Sequence, residues 1–149
     1  MLSDVELEAL ARVALVERSA EFAARSISTQ VTGGSRQFIR TDANLVQIAI
    51  NNLLDNALKY VQPGGTVAIK IAASSLAVSL EVLDDGPGVP DHERARLVDR
   101  FFRGANAKAN GTGLGLSIVA RIASSIGATV SFSDGLGGRG LSVCISFPS

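Results

Sequence analysis

The sequence predicts an α/β (α+β) two-layer sandwich: a mixed, mostly antiparallel sheet of about five strands with helices on one face. Three observations carry this. Residues 66–73 and 76–83 alternate apolar and polar side chains across a tight Ser74-Ser75 turn, and 128–133 and 141–147 do so across a glycine-rich stretch. Residues 3–25, 41–60 and 113–126 repeat their apolar positions at helical spacing instead. The two kinds of segment are interspersed, with no repeat, low-complexity tract or linker between them.

In chain order, residues 3–25 read as one helix. Ser3 caps it, Asp4 and Glu6 suit its first turn, and Val5, Ala9, Val13, Val16, Ala20 and Ala23 form its packing face. Residues 28–31 and 36–40 are expected as short strands paired in a hairpin around Gly33 and Gly34. This helix and hairpin are less distinct than the elements from Thr41 onward. Thr41 and Asp42 cap a helix that runs to about Tyr60 and stops at Pro63, Gly64 and Gly65. The strands 66–73 and 76–83 are expected as antiparallel neighbours. After Asp84 to Pro90 breaks the pattern, Asp91 opens a short charged helix ending near Phe101 and Phe102. Residues 103–111 are small or polar, lack an apolar period and are expected to form a mobile loop. Gly127 ends the helix 113–126.

The 149 residues suffice for one domain with a sizeable core. Hydrophobic residues make up 46%, and mean hydropathy is +0.29, which argues against disorder. Fourteen basic and fourteen acidic residues cancel, so no global field draws the chain to nucleic acid or to an anionic membrane. The single cysteine, Cys144, excludes an internal disulfide, is expected in the core and fits a reducing, cytoplasmic compartment. No uninterrupted apolar run is long enough to span a membrane, and Asp4, Glu6 and Glu8 are wrong for a signal peptide.

Around the expected helix 41–60, Val46, Ile50, Leu53 and Ala57 fall in one sector about 60° wide, and Asn52, Asn56 and Lys59 fall in another. Unpaired polar groups are costly to bury, so the second stripe faces water or a ligand. Two glycine clusters bear on that choice. Asp84, Asp85, Gly86, Pro87 and Gly88 directly follow a strand. A carboxylate there reads either as part of a solvated turn or as an acceptor for an exocyclic amine. Alternation with inward Val82 turns Asp84 inward and leaves Asp85 as the exposed member. Gly111, Gly113 and Gly115 alternate through Gly111-Thr-Gly-Leu-Gly-Leu116 at a helix start. Unpaired amides and the positive dipole end suit phosphate there, while a tight loop packed on the sheet is the alternative. The run is neither a Walker loop nor a dinucleotide fingerprint.

In combination, the Asn-x-x-x-Asn helix, the Asp-x-Gly-x-Gly after a strand and the Gly-x-Gly-Leu-Gly-Leu helix start resemble the Bergerat ATP-binding fold. Within that superfamily the chain looks like the catalytic and ATP-binding domain of a bacterial sensor histidine kinase. The likeness covers residues 41–148 most clearly. It implies ATP and magnesium as ligands, with Asn56 at the metal and Asn52 as the upstream member of the same box. It further implies Lys59 at the phosphates and Tyr60 against the adenine ring, although a tyrosine ending a helix also serves as an anchor. Asp84 would accept from the adenine amino group, with Gly86 and Gly88 giving the base room. Gly111, Thr112, Gly113, Leu114, Gly115 and Leu116 form the phosphate-cradling glycine box. Residues 97–103 resemble the phenylalanine box, with Arg103 offered to the phosphates, and the loop beyond is the ATP lid. The chain departs from the pattern at Val98, where a phenylalanine is usual, and at Leu141, where a threonine is usual.

Asn52 separates the branches. ATP-hydrolysing relatives and related serine kinases carry a glutamate there as general base, and an amide cannot take a proton from water or a hydroxyl near neutral pH. The resemblance therefore implies transfer to a histidine, with Asn52, Lys59 and Arg103 supplying position and charge rather than base catalysis. His92, the only histidine, sits in a charged stretch outside any histidine box and is expected to be uninvolved. Residues 1–149 are thus expected to be one catalytic domain, monomeric in isolation, without the dimerisation and phospho-acceptor domain. Its implied partners are a histidine-containing dimerisation domain and, downstream, a response regulator. Nucleic acid and membrane contact are not expected. A non-catalytic adenine-nucleotide-binding module is the competing expectation.

Overall fold

A computed structural model describes residues 1–33, 37–94, 96–97 and 115–148. The order is β1 (Leu2–Glu6), α1 (Leu7–Glu17), α2 (Ser19–Ala24), β2 (Ser28–Gly33), β3 (Phe38–Asp42), α3 (Ala43–Tyr60), β4 (Thr66–Ala73), β5 (Ala77–Asp84), α4 (Asp91–Arg94), α5 (Gly115–Ser125), β6 (Thr129–Asp134) and β7 (Leu141–Pro148). A five-stranded sheet runs β2-β4-β5-β7-β6, with β2 parallel to β4 and the other pairs antiparallel. A separate two-stranded ribbon joins β1 to β3.

Alternation sorts the sheet into two faces. Val67, Ile69 and Ile71 of β4, Leu80 and Val82 of β5, and Val143, Ile145 and Phe147 of β7 are buried in one core with helix residues such as Leu7, Ile50, Leu54 and Val119. That core makes the two layers expected from the sequence. The opposite face carries Lys70, Glu81, Cys144 and Ser146. Cys144 is therefore half-buried on the outer face rather than in the core, because it falls out of step with Val143 and Ile145. Burial and the charge of Glu81 push its thiol pKa up. Ser142 on the same face is fully buried and donates to the Glu81 carboxylate.

The N-terminal expectations need correction. Residues 3–25 do not form one helix. Leu2–Glu6 is a strand in which Ser3 pairs with Thr41, so Ser3 caps nothing, and α1 starts at Leu7 without a side-chain cap. The chain breaks again at Arg18, whose guanidinium reaches Asp55 on α3 at 2.7 Å. With the helix starting at Leu7, its packing face is Leu7, Ala11 and Ala14, and Phe22 anchors α2. Val13 and Val16 are exposed, as are Ala9, Ala20 and Ala23. The hairpin is also absent: β2 covers the free edge of β4, from Ser28 against Thr66 to Gly33 against Ile71, while β1 satisfies β3. Both pairings join segments distant in sequence, which a local glycine turn signal does not report.

From Asp42 onward the boundaries follow the expectation closely except in the charged helix opened by Asp91, which ends at Arg94, with Arg96 and Leu97 in a turn and the expected end near Phe101 and Phe102 outside the described residues. Asp42 Oδ1 accepts from the amides of Asn44 and Leu45 at 3.0 and 3.2 Å, satisfying two of the free donors at the start of α3. Ser74 Oγ closes the β4–β5 turn by accepting from the amides of Leu76 and Ala77. The expected lid, residues 103–111, and the far end of the phenylalanine box lie outside the described residues.

Candidate functional site

The C-terminal end of α3 and the end of β5, the central strand, meet where Gly86 packs on the Tyr60 carbonyl. On α3, Val46, Ala49, Ile50, Leu53, Leu54 and Ala57 are buried, which fixes the helix's rotation. The polar stripe consequently emerges along one side, with Asn52 and Asn56 half-buried and Lys59 exposed. Asn52 Nδ2 donates back to the Ile48 carbonyl at 2.8 Å. A Cβ on Gly115 would lie 3.9 Å from Asn52 Oδ1, so the first turn of α5 packs against α3 there. Among the described residues, the side chains of Asn56 and Lys59 have no hydrogen-bond partner. Tyr60, half-buried, closes the helix. Asp55 is the one acidic residue within α3, and it is bound to Arg18 through both carboxylate oxygens.

Asp84 sits at the end of β5 on the inward side, as alternation requires. Its Oδ1 accepts from the amides of Gly86 at 2.9 Å and Leu141 at 3.2 Å. Among the described residues no donor reaches Oδ2. Burial raises the Asp84 pKa above its ordinary value. The two amide bonds oppose that shift, and the neighbouring charge of Asp85 adds to it. A half-buried carboxylate with one oxygen held and the other open suits a ligand that brings its own N–H.

Two findings here exceed the sequence reading. Gly140, at φ +75°, packs so closely on Asp84 that a Cβ would overlap its main chain and lie 2.5 Å from Oδ1. Gly135 also comes too close to the Asp84 carbonyl to carry a side chain. The β6–β7 turn is thus the back wall that sets Asp84. Its glycine-rich run was the one signal in the sequence, but its partner lies over fifty residues away. Leu141, the departure from the usual threonine, keeps a role through its main-chain N–H. Second, Asp85 is not the exposed member: it is half-buried, and its Oδ1 accepts from the Thr66 amide at 2.9 Å.

Lys59 and Tyr60 lie at the end of α3 where Gly86 packs on the Tyr60 carbonyl, with Asn56 one turn and Asn52 two turns back along the helix; Gly88 packs on Gly140, Gly115 lies beside Asn52, and Leu116 is buried. Arg103, Gly111, Thr112, Gly113 and Leu114 lie outside the described residues. A groove of about 420 Å³ also runs between the Asp84 loop and the β6–β7 turn, past Pro87, Arg94 and Arg139. No residue of α3 lines it, so it is separate from the polar stripe. His92 is exposed on α4. Among the described residues no three His, Cys, Asp or Glu side chains cluster to hold a metal. Asn56 offers a hard amide oxygen that no donor among the described residues occupies, which fits a magnesium ion sharing its shell with phosphate and water. Among the described residues no helix is long and apolar enough to cross a membrane.

This arrangement, a two-layer sandwich with an Asn-bearing helix facing an Asp-Gly turn, defines a nucleotide-binding domain of the Bergerat type. The chain belongs to the family of histidine kinase-, DNA gyrase B- and HSP90-like ATPases, whose family model matches residues 41–149. It is similar to the swarming motility regulation sensor protein RssA of Serratia marcescens, 34% identical over 83% of this chain and 27% of that protein. It is likewise 34% identical to the sensor protein QseC of Salmonella typhi, over 89% of this chain and 29% of that one. The chain thus spans little more than a quarter of these curated relatives. A mycobacterial sensor histidine kinase structure, MprB, superposes with a TM-score of 0.83 at 30% identity, covering 98% of this chain and 97% of that one. Full-length ShkA, solved in complex with AMPPNP, gives a TM-score of 0.84 at 28% identity over 99% of this chain and 31% of that one.

Proposed function

We propose that this domain binds ATP with magnesium and transfers the γ-phosphoryl group to a histidine on a dimerisation or phosphotransfer domain. A response-regulator aspartate receives it later. The observation that carries the reading is the absence of a general base on the ligand-facing stripe of α3. Asn52 is an amide tied back to Ile48, and Asp55 is turned to Arg18. A site so built does not activate water or a serine hydroxyl, and an imidazole nucleophile needs little such help.

The residues divide the remaining work. Asp84 Oδ2 accepts from the adenine amino group, Tyr60 lies along the base, and Gly86 and Gly88 leave it room. Asn56 contributes its amide oxygen to magnesium, which neutralises phosphate charge when bound. Lys59 and Arg103 offer positive charge to the phosphates, and the box from Gly111 to Leu116 offers main-chain amides at the α5 start. Similarity to ShkA, whose structure holds AMPPNP, supports a nucleotide in this place. We assign residues 1–149 to one cytoplasmic catalytic domain that acts on a separate histidine-bearing domain.

The test mixes the domain with labelled ATP, magnesium and a histidine-containing dimerisation domain from a similar kinase. Acid-labile, base-stable phosphate on the partner is the expected result. Nucleotide binding without transfer to any such domain would favour a non-catalytic regulatory module instead.

A further inference from the structure

We infer that Asp85 is a positioning residue that ties the two walls of the nucleotide site together, an inference that rests on the ATP reading above. The adenine-side wall ends in Asp84 on β5, and the other wall ends in Lys59 and Tyr60 on α3. These walls come from different layers, and a shift between them changes the distance from Asp84 to the ring of Tyr60.

Asp85 bridges that seam with three bonds. Its Oδ1 accepts from the Thr66 amide at 2.9 Å, its own amide donates to the Thr66 carbonyl at 3.3 Å, and its carbonyl accepts from Gln62 Nε2 at 3.3 Å. The two Thr66 bonds continue the pairing of β4 with β5 and fix the strand that follows the turn, while the Gln62 bond holds the start of the turn that leaves α3, so the Asp84 loop is tied at both ends of that turn. Packing follows the same line. A Cβ on Gly65 would lie 2.6 Å from Val61 Cγ1 and 2.9 Å from Asp85 Oδ1, so the turn nests between the helix end and the carboxylate. A Cβ on Gly86 would lie 3.5 Å from the Tyr60 carbonyl, so the Asp84 loop touches the helix end directly. Behind it, Arg25 Nη2 donates to the Val61 carbonyl at 2.6 Å and the Gly64 amide donates to the Arg25 carbonyl at 3.2 Å. The seam is held from the back by Arg25 and from the front by Asp85. With its carboxylate engaged by the Thr66 amide, Asp85 acts through Asp84 and Tyr60.

The tie needs an oxygen acceptor at position 85 but not a charge, which separates two variants. Asp85→Ala removes the acceptor, and Asp85→Asn keeps it. Equilibrium binding of ATP with magnesium is expected to weaken about tenfold in Asp85→Ala, the size of one lost hydrogen bond to a charged group, and to stay within about twofold of wild type in Asp85→Asn. With a histidine-domain acceptor, KM for ATP is expected to rise by the same factor while kcat at saturating ATP holds within about twofold. A residue important only for folding would lower the active fraction, and hence kcat, instead. Wild-type affinity in Asp85→Ala overturns the proposal, as does equal weakening in both variants. If Asp85→Ala does not fold, Gln62→Ala carries the test, since it cuts another tie from an exposed side chain. About a threefold loss of ATP affinity is then expected, and no loss overturns the proposal. Failure of the wild-type chain to bind ATP would overturn the ATP reading itself, a result distinct from variants that bind as wild type does.

Discussion

The two ends of α3 treat polar groups differently. At its start, Asp42 spends one carboxylate oxygen on the amides of Asn44 and Leu45, and the β1–β3 ribbon covers the approach. At its finish, Asn56 and Lys59 have no side-chain partner among the described residues, and neither does Asp84 Oδ2 across the seam. Buried polar groups normally find partners within the protein. Asn56 and Asp84 are half-buried and Lys59 is exposed, so these groups on two converging elements are open to water or to a ligand. The start of the helix closes main-chain donors and, among the described residues, leaves only the buried Thr41 Oγ1 without a partner, whereas the unmatched groups at its finish stay accessible from outside.

That contrast predicts opposite responses to substitution. Asp84→Asn makes the largest change. It is expected to weaken ATP binding about 10- to 100-fold by replacing a charged acceptor, and equilibrium titration measures it. The same variant is expected to melt above wild type near neutral pH. Burial raises the folded-state pKa of Asp84 above its unfolded value, so at neutral pH the ionised group costs the folded state more. As pH falls through the raised folded value, the folded protein takes up the proton first and the cost fades. The melting advantage of Asp84→Asn therefore shrinks on acidification and is gone below the unfolded value. A constant advantage across that range would contradict the burial argument.

Asn56→Ala comes next. Comparing ATP affinity with and without magnesium should show most of the metal's contribution lost, with the melting temperature close to wild type. Full magnesium dependence in the variant would remove Asn56 from the metal. Asp42→Ala tests the other end of the helix. Calorimetry should show melting lowered by about 3 °C, while ATP affinity stays within about twofold. A larger effect on binding than on melting would erase the distinction between the two ends. Asp55→Asn is the smallest. Its pair with Arg18 is half-exposed, so melting should fall by less than about 2 °C. Phosphoryl transfer should hold within about twofold, because Asp55 is no base; a loss of about 100-fold or more would reinstate it as one.

The contrast also explains which features were legible in the sequence. From Asp42 to Asp84, helix and strands are encoded by short-range signals: a capping aspartate, a buried stripe and alternation across Ser74 and Ser75. The elements came out within a residue or so of expectation. In the first forty residues the same signals misled. The apolar positions Val13 and Val16 have helical spacing yet face outward, and Gly33 suggested a hairpin where β2 instead runs parallel to β4. Pairing partners there are chosen by which sheet edge is free, and that is a property of the assembled layers.

The sequence by itself determined which groups the proposed site can use: an amide at position 52, a second at 56, an aspartate closing a strand and two glycine clusters. Residue type and spacing carry these because they act through one helix or one turn. Tertiary structure alone decided how those groups face one another. The back wall made by Gly135 and Gly140 and the seam held by Asp85 join positions remote in the chain, and only the pairing of β5 with β4 and β7 brings them within bonding distance. Local backbone preferences act over a few residues, whereas a site between layers depends on contacts that close long loops.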